Sequence, residues 1–404
     1  MFLAHLLPWP LEGGGQIKSY HTLRTLARVY DVTLLAFIRR PDEARHAEPL
    51  RPLCREVRTV LLPRSRVSNA ASAALSLLRK RSFIIERDAA PEMRATVEQI
   101  LSARDHVTVH VDHLQMVQFV PKAASAAVVL DHHNIEHRIP RRLAETPGLN
   151  PLVRWYASRE WPKLRDYEIA ACRRADLVLT VSEEDRAGLV DLAADLASKT
   201  RAVPIGVDTD YFGVVRREAG SRTLLSIGTM YWPPNVDSMV YFCGEILPKI
   251  KERVPEVRLN IVGAKPTPAV RALADADAAV RVTGLVPDVR DWAVDCGAFV
   301  VPLRSGSGMR VKILNAMAMG LPVVSTTVGA EGIDVTDGEN IVLADGADAF
   351  ADATVRVLSD AALADRLGEG GRRLMADRYS WDRVGEQLLS IYGGLVTGPR
   401  AART

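Results

Sequence analysis

Cysteine is scarce in this sequence: 404 residues hold four, Cys54, Cys172, Cys243 and Cys296, scattered with no C-x-x-C pair. That argues against a disulfide framework or a zinc site and fits a reducing compartment. Long apolar runs are missing too. Nothing approaches the roughly 18 apolar residues that a membrane span requires. The opening Met1-Phe2-Leu3-Ala4-His5-Leu6-Leu7-Pro8 is apolar but has no basic flank, and it runs into prolines and glycines. It reads as a buried first strand rather than a secretory leader. The chain also lacks an excess of one charge. Lys and Arg number 52 against 49 Asp and Glu, and a net charge of +3 is too small to suggest a nucleic-acid partner. No solenoid repeat or low-complexity tract occurs. The expectation is a soluble, cytoplasmic protein, with peripheral contact at the inner face of a membrane left open.

The charge that exists is uneven. Residues 1–200 carry 29 basic against 24 acidic side chains, and the remainder 23 against 25. A basic first half suits an acidic acceptor or an anionic membrane surface, and solvated arginines explain it equally well. The segment from Arg64 to Arg81 has arginines at both ends and an Ala/Leu centre. Its pattern suits a core helix with basic flanks better than a lipid-facing one.

With 48% apolar and 25% charged residues, the composition is that of a globular protein, and the length predicts two domains. Short β-branched runs are predicted as strands at 2–7, 32–37, 57–62, 107–111, 127–131, 177–181, 223–227, 258–262, 280–283, 298–302, 322–325 and 341–343. Helical spacing lies between them, at 16–29, 163–175, 236–253, 310–319 and 346–358. This alternation predicts an α/β protein with two doubly wound, Rossmann-like domains of mainly parallel strands. The expected division is 1–204 and 205–379, with a final helix over about 380–397 packing back on the first domain. Two such domains are expected to face a shared crevice at the carboxyl ends of their strands, where ligands of this architecture bind.

The segment Val301-Pro302-Leu303-Arg304-Ser305-Gly306-Ser307-Gly308-Met309-Arg310-Val311-Lys312 is the most informative. A strand ends in a loop with two glycines, and a helix starts near Met309. Free amides and the helix dipole favour an anion there, and Arg310 and Lys312 add charge. A tight turn with solvated basic side chains competes evenly with that reading. In the first half, Glu12-Gly13-Gly14-Gly15-Gln16 is a flexible connection or a loop that lets phosphate or acceptor approach the backbone. Asp131-His132-His133-Asn134-Ile135-Glu136 is a polar cluster directly after a strand, where α/β enzymes keep their chemistry. His110, Asp112 and His113 end the preceding strand and are second candidates, on the acceptor side. Two D-x-D triplets, Asp208-Thr209-Asp210 and Asp275-Ala276-Asp277, read as solvated carboxylates, so no metal is expected.

The segment from Phe299 to Ser325 resembles the donor-binding motif of GT-B glycosyltransferases of the large retaining family GT4, the glycosyl transferases of group 1. Thr180-Val181-Ser182-Glu183, Pro204-Ile205-Gly206-Val207-Asp208, Ser226-Ile227-Gly228, Asn260-Ile261-Val262-Gly263, Thr283-Gly284-Leu285-Val286-Pro287-Asp288 and Tyr379-Ser380-Trp381 follow the family's order. The resemblance implies metal-independent hexosyl transfer, with retention, from a nucleoside diphosphate sugar to a hydroxyl acceptor. The acceptor is a polysaccharide, glycolipid or natural product. A UDP-sugar is the first expectation for the co-substrate, and no further cofactor is implied.

His133 matches the family's catalytic-site histidine, with Asp131 and Glu136 to orient it or take a proton. Gly14, Gly15, Gly228, Gly306, Ser307, Gly308, Met309, Arg310, Val311, Lys312 and Asn315 are implied donor contacts, and Val286 borders the base. The chain departs from the pattern at Ser307 and Asn315, where the family has glutamates. It departs again at Thr229-Met230-Tyr231-Trp232-Pro233-Pro234-Asn235, where relatives carry an Arg and a Lys; Arg310 and Lys312 are expected to supply that charge. The departures keep two alternatives open, a non-catalytic partner subunit and a nucleotide-sugar epimerase. A dinucleotide-dependent oxidoreductase is disfavoured, because Gly306-x-Gly308 lacks a third glycine and comes late in its domain.

Overall fold

The computed structural model describes residues 1–397 apart from 12, 104–105, 146–149, 217, 219 and 307. The expected site residue Ser307 therefore lies outside the described residues. The chain forms two compact units, Met1–Pro204 with the chain from Gly385 onward, and Ile205–Val384.

In the first unit the strands are β1 (Phe2–Ala4), β2 (Thr33–Ile38), β3 (Glu56–Leu61), β4 (Thr108–Asp112), β5 (Ala127–Asp131), β6 (Leu177–Thr180) and β7 (Thr200–Ala202). All are parallel, in the order β3-β2-β1-β4-β5-β6-β7. Leu3, Leu35, Val109, Val111, Leu130 and Val178 are buried in one continuous core, as parallel strands covered on both faces require. The second unit contains β8 (Thr223–Ile227), β9 (Arg258–Val262), β10 (Val280–Gly284), β11 (Ala298–Val301), β12 (Val323–Ser325) and β13 (Val342–Leu343). Their order is β10-β9-β8-β11-β12-β13, again parallel. Leu224, Leu259, Val300 and Val324 anchor its own core. In each sheet the direction of winding reverses beside the first strand, between β1 and β4 and between β8 and β11. Those switch points open a crevice at the strands' carboxyl ends.

Every strand read from the sequence is present within a few residues. The addition is β7, a three-residue edge strand with Arg201 exposed, too short and too polar to give a periodic signal. One helix corrects an expectation. Arg66–Leu78 begins at Ser65, whose side chain forms a capping box with Ser68, but Ser76 is its one buried residue. Val67 and Leu78 are each 79% exposed. This is not a core helix: its Ala/Ser-rich centre offers too little apolar bulk to hold a buried position.

Candidate active site

In the first unit the site begins with register. Asp112 and Asp131 end β4 and β5 as direct partners, and Ala4 of β1 pairs with Asp112 on its other side. Two carboxylates thus stand side by side at the switch point. The helix Gly14–Ala27 supplies their partners: Lys18 forms a buried ion pair with Asp131, and Ser19 Oγ donates to Asp112 Oδ2 at 2.8 Å. Asp112 also holds two imidazoles, His133 Nε2 at 2.7 Å from Oδ1 and His113 Nδ1 at 3.0 Å from Oδ2. His113 sits at φ +81, unusual for a non-glycine residue. The two rings face each other with centroids 3.7 Å apart.

This packing separates the charges. Burial opposes ionisation of Asp112, yet the histidines hold it well below the usual carboxylate range. His113 is raised because Asp112 outweighs its own burial. His133 is pushed down to about 4, by burial first and then by His113. The set therefore favours an ionised Asp112, holds a proton more firmly on His113 than on His133, and leaves the His133 imidazole neutral at neutral pH. Burial pushes Glu136, which feels the His113 charge, up to about 7, where a carboxyl can give or take a proton.

His133 Nδ1 is buried without a hydrogen-bond partner among the described residues. A Cβ placed on Gly15 would stand 3.6 Å from that nitrogen, so Gly15 lies directly beside the imidazole edge. Gly14 is the first residue of its helix, whose N-cap, Gly13, offers no side-chain cap and whose first turn has no acidic residue. By contrast, the helix Glu183–Leu192 is capped by Ser182 and carries three acidic residues in its first turn.

The expected partnerships are redistributed. Asp112, not Asp131, holds His133, because Lys18 engages Asp131. His110 Nε2 lies 3.6 Å from Asp131 Oδ2, and its Nδ1 is 2.6 Å from Tyr392 Oη on the last helix. His132 turns away, toward Glu168 and Cys172. Lys18, Ser19 and Tyr392 escaped the sequence reading. A lysine one turn after a glycine run was the available signal for the first.

In the second unit, the loops after β8 and β11 flank the switch point. Gly306 and Gly308 adopt φ of +143 and +75, and the helix Val311–Ala318 follows with Arg310 as N-cap, no side-chain cap and no acidic residue in its first turn. Such an end attracts anions. Arg310 donates to the Gly308 carbonyl, and a Cβ at Gly306 would meet its guanidinium at 2.6 Å. Lys312 Nζ donates to Asn235 Oδ1 at 2.9 Å and stands 3.2 Å from where a Cβ on Gly228 would be. The Gly228 loop, without a cation of its own, is thus faced by Lys312. Burial and then Arg310 push Lys312 down to about 7.

The ends of β8, β9 and β10 step together: Gly228 N–H donates to Val262, and Gly263 N–H donates to Gly284. A side chain at Gly263 would overlap the Gly228 carbonyl. Val286 lies half-buried just past β10, and Asn315 is half-buried one turn after Val311. Met309 departs from its expected role: its side chain is buried and its sulfur accepts the Ile205 N–H at 3.4 Å.

The D-x-D carboxylates have local tasks. Asp208 Oδ1 accepts the N–H groups of Asp210 and Tyr211, and Asp277 pairs with Lys251. Ligand atoms of Asp112, His113 and His133 lie within 4.8 Å of one another, close enough for a cation. Imidazole nitrogens and the Ser19 hydroxyl already engage both Asp112 oxygens.

Residues 221–360 match the family described as glycosyl transferases group 1. The phosphatidyl-myo-inositol mannosyltransferase of Mycobacterium tuberculosis is 30% identical over 210 residues, 49% of this chain and 54% of that protein. The D-inositol 3-phosphate glycosyltransferase of Xylanimonas cellulosilytica is 32% identical over 244 residues, 54% of this chain and 57% of that one. The chain thus spans about half the length of these relatives. Among solved structures, sucrose-phosphate synthase from Thermosynechococcus elongatus superposes with a TM-score of 0.74 at 18% identity, covering 98% of both chains. Anabaena HepE, in complex with UDP and glucose, gives 0.67 at 13% identity over 97% of this chain and 98% of that one. At these identities the structural likeness establishes the fold.

Proposed function

We propose that this chain, whose residues 221–360 match the glycosyl transferases group 1 family and whose fold is GT-B, moves a sugar from a nucleoside diphosphate sugar to a hydroxyl acceptor, with retention and without a metal. The observation that carries this reading is the cationic half-site of the second unit. Gly306, Gly308, the uncapped helix at Val311, Arg310 and Lys312 converge beside Gly228 at the switch point. A diphosphate there meets amides and two cations.

The chemistry asks little of the protein beyond position and charge. The acceptor oxygen forms a bond to the anomeric carbon as the bond to the diphosphate oxygen breaks. Arg310 and Lys312 stabilise the negative charge that collects on the leaving group. The acceptor proton passes to that leaving group or to a nearby base, and Glu136 has the right proton affinity for such a role. His133, neutral and held by Asp112, presents its free Nδ1 edge to the sugar or acceptor and orients it.

A UDP-sugar is the first donor to test, and GDP-mannose, the donor in the name of a relative from Mycolicibacterium smegmatis, is the second. The relatives' names also make a cyclic polyol hydroxyl the first acceptor to try. Among the described residues no helix is long and apolar enough to cross a membrane. Exposed Val67, Leu78, Leu152 and Trp155 stand among basic residues in sequence and support peripheral contact with an anionic bilayer.

The test is calorimetric titration with UDP, GDP, dTDP and ADP and their sugars, with chelator present throughout. Micromolar binding of one nucleotide, followed by acceptor-dependent transfer, establishes the reading. Binding with donor turnover but no acceptor requirement would point to an epimerase. No binding would favour a non-catalytic partner subunit.

A further inference from the structure

A second polar cluster lies beside the His113–His133 pair, and the reaction above does not use it. His5 follows β1, Arg39 follows β2, Arg64 lies three residues past β3, and Arg87 and Asp88 end the short helix Phe83–Arg87. Neighbouring strands β3, β2 and β1 thus deliver three of these groups to one edge of the sheet. Arg39 Nη2 and Arg64 Nη2 come within 3.0 and 3.4 Å of His5 Nε2. Asp88 is fully buried, with Arg64 at 2.5 Å, Arg87 at 3.1 Å and His5 at 3.2 Å.

The charges do not balance. Arg64 and Arg87 share the one carboxylate of Asp88, while the Arg39 guanidinium donates to the Leu62 carbonyl and faces His5, and the nearby Glu43 is taken up by the Arg39 backbone amide and by Arg40. His5 cannot add a negative charge, and burial pushes it down to about 4. Burial, then Arg64, pushes Arg39 down to about 10, the mark of crowded cations. A fold that needed only to neutralise Asp88 would be served by one arginine.

Arg64 and Arg87 remain reachable, with 29% and 20% of their side chains exposed. Arg64 commits a single nitrogen, Nη2, to partners among the described residues. Its other donors have the planar fork that matches a tetrahedral oxyanion. The cluster is also close to the chemistry: the His5 ring is 5.7 Å from that of His113, which in turn packs against the His133 ring at 3.7 Å between centroids.

We propose that Arg39, Arg64 and Arg87 bind the phosphate ester of the acceptor, anchoring it so that a hydroxyl on the same molecule reaches His133. The word acceptor depends on the glycosyl-transfer reading; the anion site itself does not. Arginines drawn from several segments favour phosphate over a carboxylate, because its oxygens can engage several forks at once. The basic first half of the sequence acquires a specific purpose.

Inorganic phosphate is the probe, titrated into the full chain by calorimetry. The double variant Arg310→Ala/Lys312→Met removes both donor-loop cations, so the acceptor-side site is read in that background. Adding Arg64→Gln is expected to weaken the remaining phosphate binding at least tenfold, and Arg64→Lys to weaken it less. Near-ultraviolet circular dichroism checks the fold of each variant, and Arg39→Gln replaces Arg64→Gln if the latter fails to fold. Phosphate affinity left unchanged by both substitutions overturns the proposal. The two sources of a phosphate ester are separated by competition. Displacement by inositol 1-phosphate identifies a free sugar or polyol phosphate, whereas Arg64-dependent binding to phosphatidylinositol vesicles identifies a lipid headgroup. If no nucleotide binds but Arg64-dependent phosphate binding persists, the glycosyl-transfer reading fails and the anion site stands.

Discussion

Asp112 Oδ1 lies 2.7 Å from His133 Nε2, and the opposite oxygen of the same carboxylate holds His113. One aspartate thereby holds two imidazoles whose proton affinities shift in opposite directions, His113 up and His133 down. The latter turns its free nitrogen toward the bare backbone of Gly15.

Removing either member of the Asp112–His133 pair should damage transfer rather than donor binding. His133→Ala is expected to lower turnover by roughly 10²–10⁴-fold, the range of a positioned proton-handling group. Asp112→Asn should follow it, since the shape survives and the charge that sets both imidazoles is lost. Nucleotide affinity measured by calorimetry should stay near wild type in both. Ordinary turnover in His133→Ala would sink the assignment.

Arg310 and Lys312 should act on the nucleotide. Each charge-assisted contact contributes about 1.5–3 kcal/mol, so Arg310→Ala or Lys312→Met should weaken nucleoside diphosphate binding by about tenfold or more. The nucleoside without phosphates should bind all forms alike. Equal diphosphate affinity in the wild type and Arg310→Ala would overturn the role of Arg310 in holding the diphosphate.

Lys312 also predicts a pH dependence. Burial, with Arg310 adding to it, lowers its affinity for a proton to about 7, and the protonated form is the one that attracts phosphate. Below that value the ammonium is present before the ligand arrives. Above it, binding must take up a proton, and affinity should fall as pH rises from 6 to 9. Calorimetry in buffers of different ionisation enthalpy would report proton uptake near pH 8. That uptake should vanish in Lys312→Met.

The ion pair of Lys18 and Asp131, both 2% exposed, should dominate the stability response of the first unit. Lys18→Met leaves a buried carboxylate without its cation and should cost about 3–5 kcal/mol in chemical unfolding. The double variant Lys18→Met/Asp131→Leu should recover most of that loss, because paired removal abolishes the uncompensated charge. A double variant no more stable than the single one would show that Asp131 has other obligatory partners, with His110 the first candidate.

Much of this molecule follows from local pattern. Stretches such as 127–130 and 298–301 are unbroken apolar runs, and a parallel sheet buried on both faces demands such runs. The glycine-rich loop after β11 was legible for a related reason: Gly306 and Gly308 occupy backbone conformations that favour glycine, and they stand just before a helix start, a place that suits an anion. What escaped was either short and polar, like β7, or dependent on which way a side chain turns. Three histidines, 110, 132 and 133, are alike in sequence, yet one meets Tyr392, one Glu168 and one Asp112.

The sequence by itself determined the class of fold, the boundary near residue 204 and the two places where a polar or glycine-rich loop follows a buried strand. These depend on periodicity and backbone conformation, which neighbouring residues set. Only the tertiary structure decided that Lys18 engages Asp131 and frees Asp112 for His133, that Lys312 faces Gly228, and that Arg64 and Arg87 meet at Asp88. Such pairings join residues up to 113 positions apart, and strand order brings them to one edge of a sheet.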